Sequence, residues 1–379
     1  MNGSAVSTRR PLRITRLGTL VVLGAFPVIV TAMVFVLAWG DDAAGLDFGQ
    51  FYFAAEAILR GEDPYTGPTG PNATWGGEYP YPPLPGFLAV PLTVLSLHAA
   101  KVLVMVLLVA AALAIPFVLD VRDWRCYGLL LLWPPVISAI QTGNLTLFLG
   151  LAAALAWRFR DSRAVPSALV GLTLAAKFFL WPLVVWFAAT RRLVTAGLTV
   201  GVAIVLLTLS WAAIGFAGLA DYPALTRRLQ DAVGMDAYTL YILGLDLGLP
   251  SPLARLLWMA VGGALVAAVV LVARRGDERS AFILAIAASL ALTPIVWLHY
   301  FALLLLVVAL AQPRLGPLWF LPLGMVVTPG SGQPTPFETA ATLAIAALVV
   351  GLALRTSLGA HGWGEDRRPS TALASAADS

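Results

Sequence analysis

Apolar runs follow one another almost to the C-terminus of this 379-residue chain. Runs of about 20 residues match the hydrocarbon thickness that a helix must cross in a lipid bilayer. Charged residues make up only 12% of the chain, whereas soluble domains carry about 25%. Because helices satisfy their own backbone hydrogen bonds in lipid, these runs predict an all-α polytopic membrane protein without a sizeable soluble domain.

The apolar runs predict about 10–12 transmembrane helices within a membrane region at residues 17–355. A cytoplasmic tail, 1–16, precedes this region, and a disordered tail, 356–379, follows it. The first run is about twice as long as the apolar part of a signal peptide, so it is predicted to be retained. Segments 127–141 and 144–157 are short, and they form either two crossings or a re-entrant pair. The predicted spans are 17–39, 81–97, 100–119, 127–141, 144–157, 166–189, 193–215, 252–273, 280–297, 298–312, 315–329 and 336–355.

Arginine residues set the predicted orientation, since basic groups concentrate on the cytoplasmic side of membrane proteins. The N-terminal tail is rich in arginine, and alternating the spans places Lys101 and residues 191–192 on the same side. Both termini are therefore predicted to be cytoplasmic, and loops 40–80 and 216–251 external. The basic cluster within residues 158–163 falls on the external side in this arrangement, against the rule.

Composition also limits the partners. The net charge of +4 is small and scattered, which excludes nucleic acid as a partner and leaves membrane lipids. A single cysteine excludes an internal disulfide, and only three histidines disfavour a histidine metal site, so no metal and no cofactor is predicted. The preference for Arg over Lys, with much Ala and Val, indicates a bacterial genome of high GC content. The expected location of this multi-span chain is therefore the bacterial plasma membrane.

The first external loop is acidic and contains a short helical pattern. Residues 47–61 place their apolar side chains on one face, which predicts an amphipathic helix on the outer membrane surface, ended by Gly61. Asp47 stands at the predicted N-cap, with Gln50 three residues later as in a capping box. The alternative role for Asp47 is a general base, which requires a free oxygen aimed at a substrate hydroxyl.

Two residues in apolar segments have a functional and a structural interpretation. A charge at Lys177 is costly in a membrane unless it is paired or hydrated, so it either binds a lipid phosphate or extends to the interface. The nearby Pro182 predicts a broken helix that could hold a hydrated pocket. His299 either faces the active site, touching phosphate or sugar, or belongs to an interfacial aromatic cluster with Trp297 and Tyr300.

Four further residues are weaker candidates. Arg227 and Arg228 could hold a phosphate with paired guanidinium groups, or they could lie on a solvated amphipathic helix. Asp41 and Asp42 lie close to Asp47 and match no motif that assigns them a role.

Several short motifs occur in a fixed order along residues 40–310. The first group is Asp47, a helix that ends at Leu59-Arg60-Gly61, then Asp63-Pro64-Tyr65 and Tyr79-Pro80-Tyr81-Pro82-Pro83. The later groups are Gln141-Thr142-Gly143-Asn144, Gly171-Leu172 with Ala175-Ala176-Lys177 and Pro182, and Thr293-Pro294 with Trp297 and His299. In this order and spacing the chain resembles glycosyltransferase family 87, the polyprenyl-phosphate-mannose-dependent mannosyltransferases of the GT-C class.

The resemblance implies the GT-C glycosyltransferase fold and an essential aspartate in the first external loop, which maps to Asp47. It implies a polyprenyl-phosphate sugar as donor and a cell-envelope glycolipid or polysaccharide as acceptor. Mannose is the favoured sugar, with arabinose as the alternative.

This chemistry suits the residue types. A polyprenyl phosphate is a good leaving group, so an inverting transfer needs one base for the acceptor hydroxyl and cations for the phosphate. Two other functions are weighed against it. A secondary transporter or lipid flippase usually has repeated halves and midplane charges, and this chain has no detectable repeat. A non-catalytic scaffold has no need of an acidic external helix.

Overall fold

The computed structural model describes residues 13–40, 44–65, 79–328 and 333–362. These residues form helices and turns without a β-strand, which confirms the predicted all-α class. The α-helices are α1 (Arg13–Leu20), α2 (Phe26–Gly40), α3 (Leu46–Leu59), α4 (Pro83–Ala89), α5 (Leu97–Val118), α6 (Trp124–Leu130), α7 (Pro134–Thr142), α8 (Thr146–Arg158), α9 (Ala164–Ala176), α10 (Pro182–Ala189), α11 (Leu193–Ala213), α12 (Tyr222–Val233), α13 (Leu240–Asp246), α14 (Ser251–Arg274), α15 (Glu278–Leu292), α16 (Leu304–Ala311) and α17 (Pro336–Gly362).

Five helices of the described residues are long and apolar enough to cross a membrane, so the chain is a multi-pass membrane protein. The pair α7 and α8 is bent by 116° and is a broken span or a re-entrant loop, as expected for this region. The number of long helices is below 10–12 because several predicted spans are divided into shorter helices. The five long segments are Leu17–Leu37, Leu97–Val118, Leu193–Ala213, Ser251–Arg274 and Pro336–Thr356.

The predicted span 81–97 turns back instead of crossing. At its start the ring of Tyr81 packs against Phe51 of α3, with 4.7 Å between the ring centres. At its end the Leu95 carbonyl accepts a hydrogen bond of 2.7 Å from the hydroxyl of Tyr52, also in α3. Because both ends meet neighbouring residues of one helix, the segment returns to the side that it left.

This return moves Lys101 to the other side of the protein from the one predicted. Lys101 lies in the first turns of α5, and its alkyl chain packs against Gly45, just before α3. The prediction that Lys101 lies opposite the loop 40–80 was therefore wrong, because segment 81–97 had been counted as a crossing.

The basic cluster at residues 158–163 is also displaced from its predicted side. Arg160 and Arg192 bind the same carboxylate, that of Glu278, at 3.3 Å and 2.9 Å. They therefore lie on one face, whereas counting 166–189 as one crossing had separated them. The structure divides that segment into α9 and α10, which run out and back, so the cluster lies on the same side as Arg192.

The break between α9 and α10 occurs at Lys177, whose backbone is extended with φ −159° and ψ 115°. The next helix begins with Pro182, which has no N–H to continue the ladder, so the predicted broken helix is confirmed. Irregular backbone at membrane depth is tolerated only where protein or a polar cavity surrounds it. The break therefore indicates that the chain at Lys177 is surrounded by protein or by a polar cavity and does not belong to a simple span.

The core of the protein lies around α15 and α16. Every residue from 280 to 290 is buried, and so is every residue from 304 to 310. A helix that is apolar on all sides is typical of such a central position. Helices α10, α14 and α17 pack against α15, and α17 also packs against α16. Their packing fixes the connecting segment 293–303, which contains a 3-10 turn, Leu298–Leu303.

The two ends of the chain fall partly outside the described residues. Helix α1 begins at Arg13, inside the predicted tail 1–16, and α17 continues past residue 356 to Gly362. The predicted loop 216–251 contains α12 and α13.

Helices α9 and α11 pack closely at Gly171, and this contact generates a stability prediction. A Cβ atom there would lie 2.6 Å from Cγ1 of Val202 and 2.9 Å from the Thr199 carbonyl oxygen. We expect Gly171→Ala to lower the free energy of unfolding by about 1–3 kcal/mol, as overpacking of a close contact does. Thermal unfolding of the purified protein in detergent measures this loss.

Gly201→Ala is the matched control, since a Cβ there on α11 has no atom within 4 Å. It should leave stability unchanged or raise it, because alanine favours helix over glycine. Equal melting temperatures for the two variants would contradict the close packing at Gly171.

Candidate active site

The start of α3 is fixed by the chain segment 141–144. Gly45 has a left-handed backbone, with φ 69°, and its N–H donates to the Gln141 carbonyl at 2.7 Å. Gly143 is also left-handed, and a Cβ atom on it would lie 2.7 Å from Cβ of Phe48. Glycine is therefore required at both positions, since another residue would be strained and would push the segments apart.

Asp47 lies in the first turn of α3 and is only 7% exposed. The N-cap of this helix is Gly45, so the predicted N-cap role of Asp47 was wrong. The predicted capping box is also absent, because Oε1 of Gln50 is buried without a hydrogen-bond partner among the described residues. The helix ends as predicted, with Gly61 left-handed just beyond it. Asp47 is thus not used to begin the helix, and its carboxylate points elsewhere.

Asn144 holds the carboxylate of Asp47. Its side-chain Nδ2 donates to Oδ2 of Asp47 at 2.7 Å, and Asn144 is completely buried. The other end of the amide, Oδ1, accepts from the backbone N–H of Thr146 at 2.9 Å and from its hydroxyl at 2.6 Å. Because the N–H of Thr146 can only donate, it orients the Asn144 amide with its NH₂ group toward Asp47.

His299 faces the same carboxylate. Its Nε2 lies 3.8 Å from Oδ2 of Asp47, and the residue is only 3% exposed. This nitrogen has no hydrogen-bond partner among the described residues. Buried polar atoms are nearly always hydrogen-bonded, so an unpartnered nitrogen beside a carboxylate is typical of a site that receives a ligand.

Lys177 places a cation beside this pair. Its Nζ donates a hydrogen bond to the hydroxyl of Tyr300 and lies 4.1 Å from the centre of that ring. The ring of Tyr81 is 5.2 Å away on another side, and the Asp47 carboxylate is near enough to interact with the ammonium electrostatically. The side chain of Lys177 therefore enters an aromatic pocket, instead of extending along the exposed Phe178 to an interface.

The segment that carries Tyr81 is held by other tyrosines. The hydroxyl of Tyr65 donates to the Tyr81 carbonyl at 2.9 Å, and that of Tyr222 donates to the Pro80 carbonyl at 2.9 Å. Burial raises the pKa of both hydroxyls, so they remain protonated donors at neutral pH. Since proline N atoms cannot donate, these side chains fix the course of a segment that cannot join a helix ladder.

The other predicted site residues are not brought to this cluster. Arg227 and Arg228 lie on the exposed side of α12, whose contacts with the segment at Pro80 run through Tyr222. Asp41 and Asp42 lie outside the described residues. Among the residues that the structure describes, no three His, Cys, Asp or Glu side chains are grouped to hold a metal ion.

Three residues of the cluster had no individual role in the sequence analysis: Asn144, Tyr81 and Tyr300. Two of them belong to motifs that were recognised only as strings, and Tyr300 was grouped with an interfacial cluster. The sequence offered one clue to each of them: Asn144 follows Gly143, Tyr81 follows Pro80, and Tyr300 follows His299. Only the contacts reveal that all three point at Asp47 or Lys177.

Fold and site together define a multi-pass membrane protein with a carboxylate, an ammonium and an imidazole in one buried cluster. The chain belongs to glycosyltransferase family 87, whose model matches residues 79–298. No curated protein and no solved structure matches the chain. Family membership makes this a membrane glycosyltransferase with a sugar donor and an acceptor, and it decides against the transporter, flippase and scaffold alternatives.

The matched segment includes Asn144 and Lys177, while His299 directly follows it and Asp47 precedes it, in the part of the chain before residue 79. The match assigns the family to the chain and no role to a particular residue, so the cluster rests on its contacts. These contacts include the hydrogen bond from Asn144 to Asp47 and the approach of His299 to the same carboxylate.

The Asn144–Asp47 contact generates a stability prediction. We expect Asn144→Ala to lower the free energy of unfolding by about 2–3 kcal/mol, because the buried carboxylate loses a charge-assisted hydrogen bond. When Asn144→Ala is made in an Asp47→Ala background, its loss of unfolding free energy should be smaller by about 1–3 kcal/mol, because residues in contact are energetically coupled. Thermal unfolding of the four proteins in detergent gives this coupling.

Thr142→Ala supplies the control, since its hydroxyl bonds only to the Ser138 carbonyl of its own helix in the described contacts. Its effect should be equal with Asp47 present or absent. If the cost of Asn144→Ala is also independent of Asp47, the contact does not stabilise the carboxylate.

Proposed function

We propose that this glycosyltransferase transfers a hexose, mannose in the first instance, from a polyprenyl-phosphate sugar to a hydroxyl of a cell-envelope glycolipid or polysaccharide. The transfer inverts the anomeric carbon, with Asp47 as the general base. The observation that carries the proposal is one buried cluster in which Nε2 of His299 lies 3.8 Å from the Asp47 carboxylate and the Lys177 ammonium bonds to Tyr300, the residue after His299. The reaction needs a base and a cation, which are the carboxylate and the ammonium of this cluster.

Asp47 is suited to act as the base because its position is fixed. The hydrogen bond from Asn144 occupies Oδ2 and orients the carboxylate plane. A base must lie within hydrogen-bond reach of the proton that it accepts, and a fixed carboxylate keeps the acceptor hydroxyl in line for attack. The proton of the acceptor passes to Asp47 as the hydroxyl oxygen bonds to the anomeric carbon and the polyprenyl phosphate departs.

Lys177 is suited to hold the departing phosphate. A phosphate gains negative charge as the sugar–oxygen bond breaks, and a preorganised cation in a water-poor site stabilises that charge. Tyr300 already orients the ammonium through its hydroxyl, and His299 offers a nitrogen without a partner among the described residues. We assign Lys177 and His299 to the donor phosphate or sugar, with Arg227 and Arg228 as outer candidates.

The membrane position supports a lipid-borne donor. Helix α9 separates Lys177 from residue 163 by 13 residues, or roughly 20 Å at about 1.5 Å per residue. The opposite end carries the arginines that bind Glu278, which suits a cytoplasmic face. We therefore propose a bacterial plasma-membrane enzyme with Asp47 toward the external side and both termini in the cytoplasm.

The proposal predicts that Asp47→Asn abolishes transfer. Membranes that contain the variant and labelled polyprenyl-phosphate mannose should transfer sugar about 10²–10⁴ times more slowly than wild-type membranes. The reason is that an amide cannot take the proton from the acceptor hydroxyl. Polyprenyl-phosphate arabinose, supplied in parallel, should be the poorer donor for the wild-type protein.

Glu56→Gln is the matched control, since it removes a carboxylate from the same helix at a partly exposed position. It should transfer sugar at the wild-type rate. Undiminished transfer by Asp47→Asn would remove Asp47 from the role of base.

Lys177→Met should act on the donor. We expect its kcat/KM for the polyprenyl-phosphate sugar to fall about tenfold or more, because the bound and the departing phosphate lose a charge-assisted hydrogen bond in a buried site. Lys177→Arg keeps the charge and should bind the donor more tightly than Lys177→Met. Initial rates at varied donor concentration measure both. An unchanged kcat/KM in the methionine variant would exclude Lys177 from phosphate binding.

A further inference from the structure

An arginine-lined depression lies at the end of α9 and α11 that is opposite to Lys177. It is formed by the loop after α8, the loop after α10 and the first turn of α11, and it has a volume of about 290 Å³. Its lining includes Arg160, Asp161, Arg163, Arg191 and Arg192, followed by residues 193–195. We call this feature the arginine pocket. It shares no residue with the Asp47 cluster.

Two of the four arginines are held in place by carboxylates. Arg192 binds Glu278 at 2.9 Å and Asp161 at 3.0 Å, while Arg160 binds Glu278 at 3.3 Å and covers the ring of Trp157. These contacts form a rigid floor, because each guanidinium is fixed from two sides. The pairing also neutralises most of their charge.

The other two arginines leave the pocket with a surplus of positive charge. Arg163 and Arg191 are exposed and form no ion pair with any residue that the structure describes. Arg191 is held in a left-handed backbone with φ 64°, which is uncommon for a residue with a side chain. This conformation ends α10, since the N–H of Arg192 donates to the Phe187 carbonyl at 2.8 Å, and it turns the chain toward α11.

The backbone adds to this positive character. Helix α11 begins here, and its N-cap residue, Arg192, provides no side-chain cap for the first-turn N–H groups. Those groups and the helix dipole favour an anion at this position. Residues 193–195 line the pocket, so the first turn of α11 faces the same space as the guanidinium groups.

The pocket also opens beside apolar surface. Leu193 is 68% exposed and Val194 is 53% exposed, although both stand next to the charged rim. These residues begin the membrane-spanning helix α11, so the pocket lies where a span meets the membrane interface. A soluble anion makes no use of the apolar flank, whereas a lipid places its acyl chains there.

We propose that the arginine pocket binds the phosphate group of an anionic phospholipid. The guanidinium groups of Arg163 and Arg191 hold the phosphate oxygens, since planar guanidinium groups suit phosphate geometry. The first turn of α11 contributes N–H donors, and the acyl chains lie along Leu193 and Val194. The lipid would brace the loops that connect α8 to α9 and α10 to α11.

The test uses the purified full-length protein in detergent. Thermal unfolding and native mass spectrometry would compare added phosphatidylglycerol, phosphatidylcholine and inorganic phosphate at matched concentration. The test variant combines Arg163→Gln with Arg191→Gly, because glycine accepts the left-handed backbone without strain. Arg274→Gln with Arg275→Gln is the control, since it removes two exposed charges from the C-terminal end of α14, outside the pocket.

We expect phosphatidylglycerol to stabilise the wild type and the control equally, and to bind the test variant about tenfold or more weakly. Phosphatidylcholine should stabilise all three proteins little. Equal binding of phosphatidylglycerol by the test variant and the control would overturn the site. Stabilisation by inorganic phosphate equal to that by phosphatidylglycerol would overturn the assignment to a lipid. Neither readout requires transferase activity, so failure here is distinct from failure of the proposed reaction.

Discussion

The hydrogen bond from Asn144 to Asp47 is the interaction on which the arrangement of the site depends. It joins two segments 97 residues apart and holds a buried carboxylate that would be costly without a donor. Two left-handed glycines, Gly45 and Gly143, allow the segments to approach closely enough for it to form. Thr146 orients the amide. Because Asn144 satisfies one side of the Asp47 carboxylate, the other side of that carboxylate can face a substrate.

Broken helices make this network possible within a membrane protein. A continuous span in place of α9 and α10 would carry Lys177 past the carboxylate, whereas the break leaves its ammonium between Tyr81 and Tyr300. The buried residues 280–290 of α15 and 304–310 of α16 flank the segment with His299 and hold it in place. The same out-and-back path brings Arg160 and Arg192 together on Glu278 at the far end. The break between α9 and α10 therefore positions both the Lys177 ammonium in the site and the two arginines on Glu278.

The family match assigns the chain to a family, whereas the site residues rest on the geometry alone. The match covers residues 79–298, which contain Asn144 and Lys177. Asp47 precedes this segment, and the sequence pattern alone favoured a helix cap for it. The observed N-cap at Gly45 removes that explanation and leaves a buried acid without a role in starting the helix. The absence of a capping role for this buried carboxylate supports the proposal that Asp47 is a general base.

The sequence by itself determined the membrane class, the helical content, the helix ended by Gly61 and the break near Pro182. These features follow from apolar length, residue spacing and backbone chemistry, which act locally. It could not determine which apolar runs cross, and so it misplaced Lys101 and the basic cluster at 158–163. A run has the same composition whether it crosses or turns back. Only tertiary contacts distinguish the two, because they decide which ends lie together, and they alone join Asp47, Asn144, Lys177 and His299 into one site.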